Sequence, residues 1–263
     1  MNGITWALLG TLFTFSVTSL GALNVFWVKK EVGSGVQCAF LGFAGGVMVA
    51  ASVWSLLLPG IDRAEENNQI GWLVISGGFL LGVVALLFAD SIMKKHYMRK
   101  LAAGQLASLR QSTTMLILAI TIHNIPEGMA VGLAFALAMS EPADPALFSG
   151  ALALALGIGI QNYPEGTAVA LPLLKDGMSK KKAFLMGSMS ASVEPVFGVL
   201  AALVAAFVTP LMPLLLAFAA GTMIYVVVQE LLPEAQMCEG DKTATLGFIA
   251  GFLVMMILDV SLG

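Results

Sequence analysis

Charged residues are scarce in this sequence. They make up 11% of its 263 residues, whereas hydrophobic residues make up 58%. A soluble globular domain typically contains about 25% charged residues, so this composition argues against a soluble protein and is typical of a chain that lies mostly within a membrane. The formal net charge of -3 decides nothing about partners, and no nucleic acid is expected among them.

Cysteine and histidine are also scarce, with two of each in the chain. Cys38 and Cys238 form no Cys-x-x-Cys pair, so a thiolate zinc site is not expected. Both fall near the face assigned below to the cytoplasm, where a reducing compartment argues against a structural disulfide. His96 lies among lysines in a loop, where a histidine is usually solvated. His123 is therefore the one candidate histidine ligand.

Long apolar runs dominate what is present. Eight of them, each of roughly 20 or more residues, are long enough to cross about 30 Å of hydrocarbon as helices. They predict one all-α transmembrane domain over residues 1–263, with spans at about 4–28, 36–58, 71–93, 113–139, 146–174, 182–208, 211–232 and 244–262. The first run lacks the basic start and cleavage site of a signal peptide, so it is expected to be retained as a span.

Loop charge predicts the orientation of the chain. If the first span runs toward the cytoplasm, Arg63 is the one Lys or Arg of 13 that falls in an outer loop. The positive-inside rule therefore predicts that both termini lie outside the cytoplasm. The spans flank a central pair, which favours a 3+2+3 arrangement of the kind that transporters build from inverted repeats.

Two near-identical polar hexads interrupt the central pair of spans. They read His-Asn-Ile-Pro-Glu-Gly at 123–128 and Gln-Asn-Tyr-Pro-Glu-Gly at 161–166. The first and fifth residues of each hexad share a helix face, and a carboxylate at this depth costs about 2.5 to 3.5 kcal/mol unless it is compensated. Two such faces turned together would make a cage of nitrogen and oxygen ligands for zinc or a similar divalent ion. This cage consists of His123, Glu127, Gln161 and Glu165.

Neighbouring residues extend the cage. Asn124 and Asn162, one position along in each hexad, are candidates to turn toward a second, weaker ion. Glu194, followed by proline in the sixth span, is the best further partner because it lies deepest among the other acids. Each hexad proline removes a backbone donor and bends its helix, and backbone freed at membrane depth is tolerated where it lines a wet path.

Three other acids are candidates for a transport path. Glu230 lies near the end of the seventh span, next to Gln229, and would line a cytoplasmic exit or an entrance vestibule. Asp90 and Asp259 lie near the ends of the third and eighth spans, where solvation at the interface also accounts for them.

At these residues the chain resembles the ZIP family of divalent-metal transporters, and within it the bacterial GufA-like branch. The resemblance covers both hexads, Ser-Val-Glu-Pro at 192–195 and the tract Ala51–Pro59 on the second span. It implies a 3+2+3 helix fold with a binuclear centre between spans four and five. The first position would be formed by His123, Glu127, Gln161 and Glu165, and the second by Asn124, Asn162, Glu165 and Glu194, with Glu127 as a candidate bridge.

The same resemblance implies a function. Family members carry zinc, and often cadmium, iron or manganese, into the cytoplasm, and for this chain the bacterial branch implies the inner (plasma) membrane. They are commonly homodimers and move spans one, four, five and six against the rest. The bound Zn²⁺ or Cd²⁺ is the transported substrate, so no catalytic cofactor is expected. This chain departs from the commoner pattern at Gln161 and Asn162, where many members have His and an acid, and no span-two ligand is evident near Trp54 and Ser55.

Two other functions compete with transport. A membrane-buried metal can also activate water, as in an intramembrane zinc hydrolase, but such sites usually use about three ligands, often histidines, with one open position. This chain has no His-Glu-x-x-His motif. The third possibility is a protein in which a buried metal staples helices or senses metal.

Overall fold

Helices form every regular element in the computed structural model, which describes residues 2–27, 33–102, 111–235 and 242–262. They are α1 (Gly3–Ala22), α2 (Ser34–Ala51), α3 (Leu58–Glu66), α4 (Gly71–Ala102), α5 (Gln111–Ser140), α6 (Pro145–Lys175), α7 (Lys180–Met189), α8 (Val193–Phe207), α9 (Met212–Val226), α10 (Leu232–Ala235) and α11 (Thr243–Leu262). Among the described residues, eight helical segments are long and apolar enough to cross a membrane. The predicted all-α class and its eight spans are confirmed.

The second span is longer than predicted. It was expected to end at about residue 58, but the helix continues through Pro59 to Glu66. A π turn at Ser52–Leu57 precedes the proline, and the N–H of Leu58 bonds to the carbonyl of Val53, five residues back. Since a proline ring collides with the carbonyl one turn before it, this wider turn lets the helix pass through without ending.

The seventh span uses the same local solution. A π turn at Val227–Leu231 precedes Pro233, and the N–H of Leu232 again bonds to a carbonyl five residues back, that of Val227. This turn carries Glu230, one of the predicted path residues. The second and seventh spans, one before and one after the central pair in sequence, therefore share a π turn followed by Leu-Pro.

The sixth span is also irregular, and this irregularity places Glu194. A 3-10 turn at Ser190–Ser192 separates α7 from α8. Pro195 follows within the first turn of α8. The N–H groups of a first turn have no partner within the helix, so a proline there breaks no hydrogen bond of α8. Glu194 therefore lies in the first turn of α8, with its side chain fully buried.

The helices associate mainly in four pairs: α1 with α6, α5 with α8, α2 with α11, and α4 with α9. α5 and α6 also contact each other and join the first two pairs. Several of these contacts are backbone against backbone. A Cβ added at Gly46 would lie 2.0 Å from the carbonyl oxygen of Phe248, so α2 and α11 can be this close only because the position is glycine.

The expectation about the cysteines is contradicted in part. Cys38, near the start of α2, is disulfide-bonded. α10, at the end of the seventh span, packs against α2, the helix that carries Cys38, a proximity that sequence spacing does not reveal. The other cysteine, Cys238, lies outside the described residues.

Candidate metal centre

The two hexads face each other across the contact between α5 and α6. Residues 141–144 join these helices in a tight turn, so they run in opposite directions side by side. The Gln161 side chain donates a hydrogen bond from Nε2 to Glu127 Oε1 at 2.6 Å. The fold therefore turns the two signatures toward one shared space, as the cage hypothesis requires.

The polar side chains of both hexads are withdrawn from solvent. None of them is more than 6% exposed, and four of them are fully buried. The set consists of His123, Asn124, Glu127, Gln161, Asn162 and Glu165. Because polar and charged groups are costly to bury without partners, so dense a cluster needs a specific compensation.

Many acceptor oxygens in this cluster receive no hydrogen bond from any described residue. They are Glu127 Oε2, Gln161 Oε1, both carboxylate oxygens of Glu165, Asn124 Oδ1 and Asn162 Oδ1. A buried acceptor left without a donor costs about 1 to 3 kcal/mol. Oxygens that converge without donors are suited to a cation, which satisfies several of them at once.

Glu194 lies beside the second hexad. Its Oε1 accepts a hydrogen bond from Asn162 Nδ2 at 3.0 Å, and its Oε2 accepts a hydrogen bond from the Thr14 hydroxyl. Asn162 Nδ2 also lies 3.4 Å from the main-chain oxygen of Thr14. Both neighbours of this nitrogen are acceptors, so the NH₂ group must be on this side of the Asn162 amide.

The hexad glycines allow two further helices, α8 and α1, to approach closely. A Cβ at Gly128 would lie 2.4 Å from the main-chain oxygen of Glu194, and one at Gly166 would lie 1.9 Å from that of Thr18. These contacts place α8 against the first hexad and α1 against the second. The glycines therefore position Glu194 and Thr14 at the centre.

Glu230 also reaches the centre. Its Oε2 lies 3.3 Å from Nδ1 of His123. The sequence had associated Glu230 with an exit or a vestibule, a role that stays a prediction, and the π turn of the seventh span carries it to the first hexad. The contact joins α5 to the seventh span.

The other two path candidates lie elsewhere. Asp259 is buried on α11, where its Oδ1 accepts a hydrogen bond from Ser55 Oγ at 2.6 Å and its Oδ2 receives none from the described residues. Asp90 is buried on α4, which packs mainly against α9. A path role for Asp90 stays a prediction that no described contact supports.

Two cavities approach the centre from opposite ends of α6. One, of about 170 Å³, is lined by Gln37, Pro172, Glu234 and Glu165 and so reaches the second hexad. The other, of about 340 Å³, is lined by Trp54, Ser55, Asp62 and Asp259 and by the start of α6. Leu154 and Ile158 lie between them on α6 and are fully buried. In this conformation the second hexad is thus approached from the Glu234 side, while apolar side chains separate it from Asp259.

The candidate metal ligands do not form a complete coordination shell in the described conformation. Among the residues that the structure describes, no three His, Cys, Asp or Glu side chains are arranged to hold a metal. The centre relies on amide oxygens as well, and the Gln161 amide presents its NH₂ group to Glu127.

Two residues at the centre were missed by sequence reasoning. Glu234 follows the proline of the seventh span and lines the cavity that reaches Glu165. Thr14 belongs to a row of threonines with Thr11 and Thr18 on the first span. Their spacing puts all three on one helix face, a signal that was readable as a polar face turned inward.

Comparison with known proteins finds relatives along the whole chain. Residues 100–259 match the ZIP zinc transporter family. The chain is 38% identical to human zinc transporter ZIP11, over 100% of this chain and 98% of that protein. It is 34% identical to zinc transporter GufA of Myxococcus xanthus, over 97% and 98%, and 35% identical to zinc transporter ZIPB of Bordetella bronchiseptica, over 99% and 82%. All three are named as transporters, so the hydrolase alternative is rejected.

Proposed function

The chain belongs to the ZIP family of zinc transporters, and on that basis we propose that it carries zinc and similar divalent cations through the centre between α5 and α6. The observation that carries this proposal is the group of buried acceptor oxygens without donors at the facing hexads. His123 adds a nitrogen ligand to these oxygens. Mixed nitrogen and oxygen ligation suits zinc, and also cadmium, iron and manganese.

The centre offers two neighbouring positions. The first uses His123, Glu127, Gln161 and Glu165, and the second uses Asn124, Asn162, Glu165 and Glu194, with Glu127 as the bridge. Only the first contains a nitrogen ligand. The second consists of oxygens alone, so it binds a transition metal more weakly and tolerates harder cations.

Binding at the first position involves the Gln161 amide. Its NH₂ group now faces Glu127, and a cation at Glu127 repels those hydrogens. The amide then turns to present Oε1, which accepts no hydrogen bond from the described residues. One hydrogen bond is thereby replaced by ligation from two side chains, at little net cost in hydrogen bonding.

The cavities suggest the direction of travel. Cations enter on the side of Asp259 and Ser55, pass the apolar layer at Leu154 and Ile158 when it opens, and bind at the hexads. They leave past Glu234. The positive-inside rule assigns the Glu234 side to the cytoplasm, so the described conformation is open inward, and both termini lie outside the cytoplasm of a bacterial inner membrane.

The helix pairs support the 3+2+3 arrangement. The proposed repeat relates spans one, two and three to spans six, seven and eight, and span four to span five. Under this relation the α1–α6 pair corresponds to the α5–α8 pair, and the α4–α9 pair corresponds to the α2–α11 pair. The same relation also matches the two π turns followed by Leu-Pro. Such repeats allow one group of helices to rock against the other around a fixed site. Movement of α1, α5, α6, α7 and α8 as one body would open the outer side.

A homodimer is part of the same proposal. α4 presents a row of exposed apolar side chains that includes Leu73, Leu80, Leu81 and Phe88. In a membrane this face contacts either lipid or a second copy of the chain. Cross-linking of cysteines placed on this face, measured in the native membrane, would detect the dimer.

The transport proposal is tested by reconstitution. Full-length protein in liposomes that contain a zinc-sensitive dye should admit Zn²⁺ and Cd²⁺, and Glu127→Ala or Glu165→Ala should abolish the flux. Glu65→Ala is the matched control, because Glu65 is exposed on α3 and its loss should leave flux unchanged. Wild-type flux in both hexad variants would refute the proposal.

A further inference from the structure

Thr14 lies on α1, outside both hexads, yet its side chain contacts a carboxylate of the centre. Its hydroxyl donates a hydrogen bond to Glu194 Oε2. The main-chain oxygen of the same residue lies 3.4 Å from Asn162 Nδ2, which also donates to Glu194 Oε1. One turn of α1 thus contacts both Glu194 and Asn162, two ligands of the second position.

The residues of this contact are buried between closely packed helices. Thr14, Asn162 and Glu194 are all fully buried, so water does not compete for these hydrogen bonds. The close approach of α1 and α6 at Gly166, and of α8 and α5 at Gly128, leaves the backbones no room to move toward one another. The orientation of the Glu194 carboxylate is therefore decided by its donors on α1 and α6.

We propose that Thr14 is a positioning residue for the second metal position, holding the Glu194 carboxylate in its ligating orientation through the Thr14 hydroxyl. Each carboxylate oxygen has two lone pairs, so Glu194 Oε2 ligates a cation while it keeps the Thr14 hydrogen bond. Hydrogen bonds behind a ligating carboxylate commonly contribute 10- to 100-fold to metal affinity. This inference rests on the proposed function, since it assumes that the second position binds the transported cation.

The test is zinc titration of the full-length protein in detergent by calorimetry, with bound metal counted by elemental analysis. The wild type should show a stronger and a weaker class of zinc-binding site, and the class that is lost in Glu194→Ala is the second position. Thr14→Val, which keeps the shape and removes the hydroxyl, should weaken that class by about 10- to 100-fold and leave the stronger class within about twofold of wild type. Thr14→Ser, which keeps the hydroxyl, should restore it.

Thr18→Val is the matched control. Thr18 is equally buried on the same helix, and its hydroxyl bonds to the carbonyl of Thr14 within α1. It should bind both ions like the wild type. In a double-mutant cycle, Thr14→Val should add nothing to Glu194→Ala, because the hydroxyl acts only through that carboxylate. If Thr14→Val does not yield folded protein, Thr14→Ala takes its place.

Several results would overturn the inference. These are an unchanged second class in Thr14→Val, equal loss in Thr18→Val, additive loss in the double variant, or a wild type that binds a single ion. All of them leave the proposed transport standing. A wild type that binds no zinc at either position defeats the proposed function as well.

Discussion

Replacing Gly166 with alanine should disable transport by pushing α1 off α6. The added Cβ would lie 1.9 Å from the main-chain oxygen of Thr18 and 3.0 Å from the main-chain nitrogen of Ala22. Both are backbone atoms of one helix, which cannot turn aside as a flexible side chain can. α1 must therefore move away by about 1 Å or more to restore ordinary van der Waals contact.

The cost follows from this displacement. Overpacking of a buried contact typically costs about 1 to 3 kcal/mol, which corresponds to a fall in Tm of roughly 2 to 12 °C for a chain of this size. The functional loss should be larger than the stability loss suggests. Thr14 moves with α1, and misplacement of a positioning group by about 1 Å can cost about 100-fold in rate.

Gly71→Ala provides the matched control. It makes the same change at the start of a membrane-spanning helix, α4, at a position where an added Cβ would meet no atom within 4 Å. Because the added methyl group collides with nothing there, Tm and flux should not fall.

The measurements are zinc uptake into liposomes and thermal unfolding of both variants. Uptake in Gly166→Ala should fall at least about tenfold. Wild-type uptake and Tm in Gly166→Ala, or an equal loss in Gly71→Ala, would show that the α1–α6 contact is not as tight as described.

Three further outcomes are expected. Zinc affinity should fall as pH is lowered from about 7.5 to 5.5, because His123 ligates as the neutral ring and the glutamates as carboxylates; calorimetry that shows constant affinity over this range would exclude His123 as a ligand. Asp259→Asn should raise KM for zinc uptake about 3- to 10-fold with little change in maximal rate, because it removes a negative charge from the cavity through which we propose that cations enter; a lost maximal rate at unchanged KM would refute this role. Radioactive zinc bound to the protein should exchange with free zinc within seconds to minutes, and retention for hours would favour a metal that staples helices.

Much of the architecture was readable from the sequence because the bilayer imposes simple local rules. Each span must satisfy its backbone internally and remain apolar for about 20 residues, so composition alone located eight helices. Acidic side chains inside such segments cost free energy to bury, so the two hexads and Glu194 could be recognised from the sequence as candidate functional residues. Their spacing of four residues placed the ligand pairs on common helix faces.

The span boundaries were less accessible. Proline usually ends a helix, and the second span was expected to end at about residue 58, just before Pro59. The π turn that lets the helix continue depends on neighbouring helices that support the widened turn, and no local propensity reports it. The same kind of turn carries Glu230, which lies beside His123, a contact that the sequence did not predict.

The sequence by itself determined which helices exist and which of their faces carry ligands, because helix periodicity and the cost of burying charge act along the chain. Only the tertiary structure decided which of those faces meet. The contacts of Thr14 with Glu194 and of Ser55 with Asp259 join residues far apart in sequence, and the packing of α10 on α2 brings the chain near Cys38. Such pairings form where glycines on one helix let the backbone of another helix approach closely. They depend on the surfaces of both helices together, so neither segment specifies them alone.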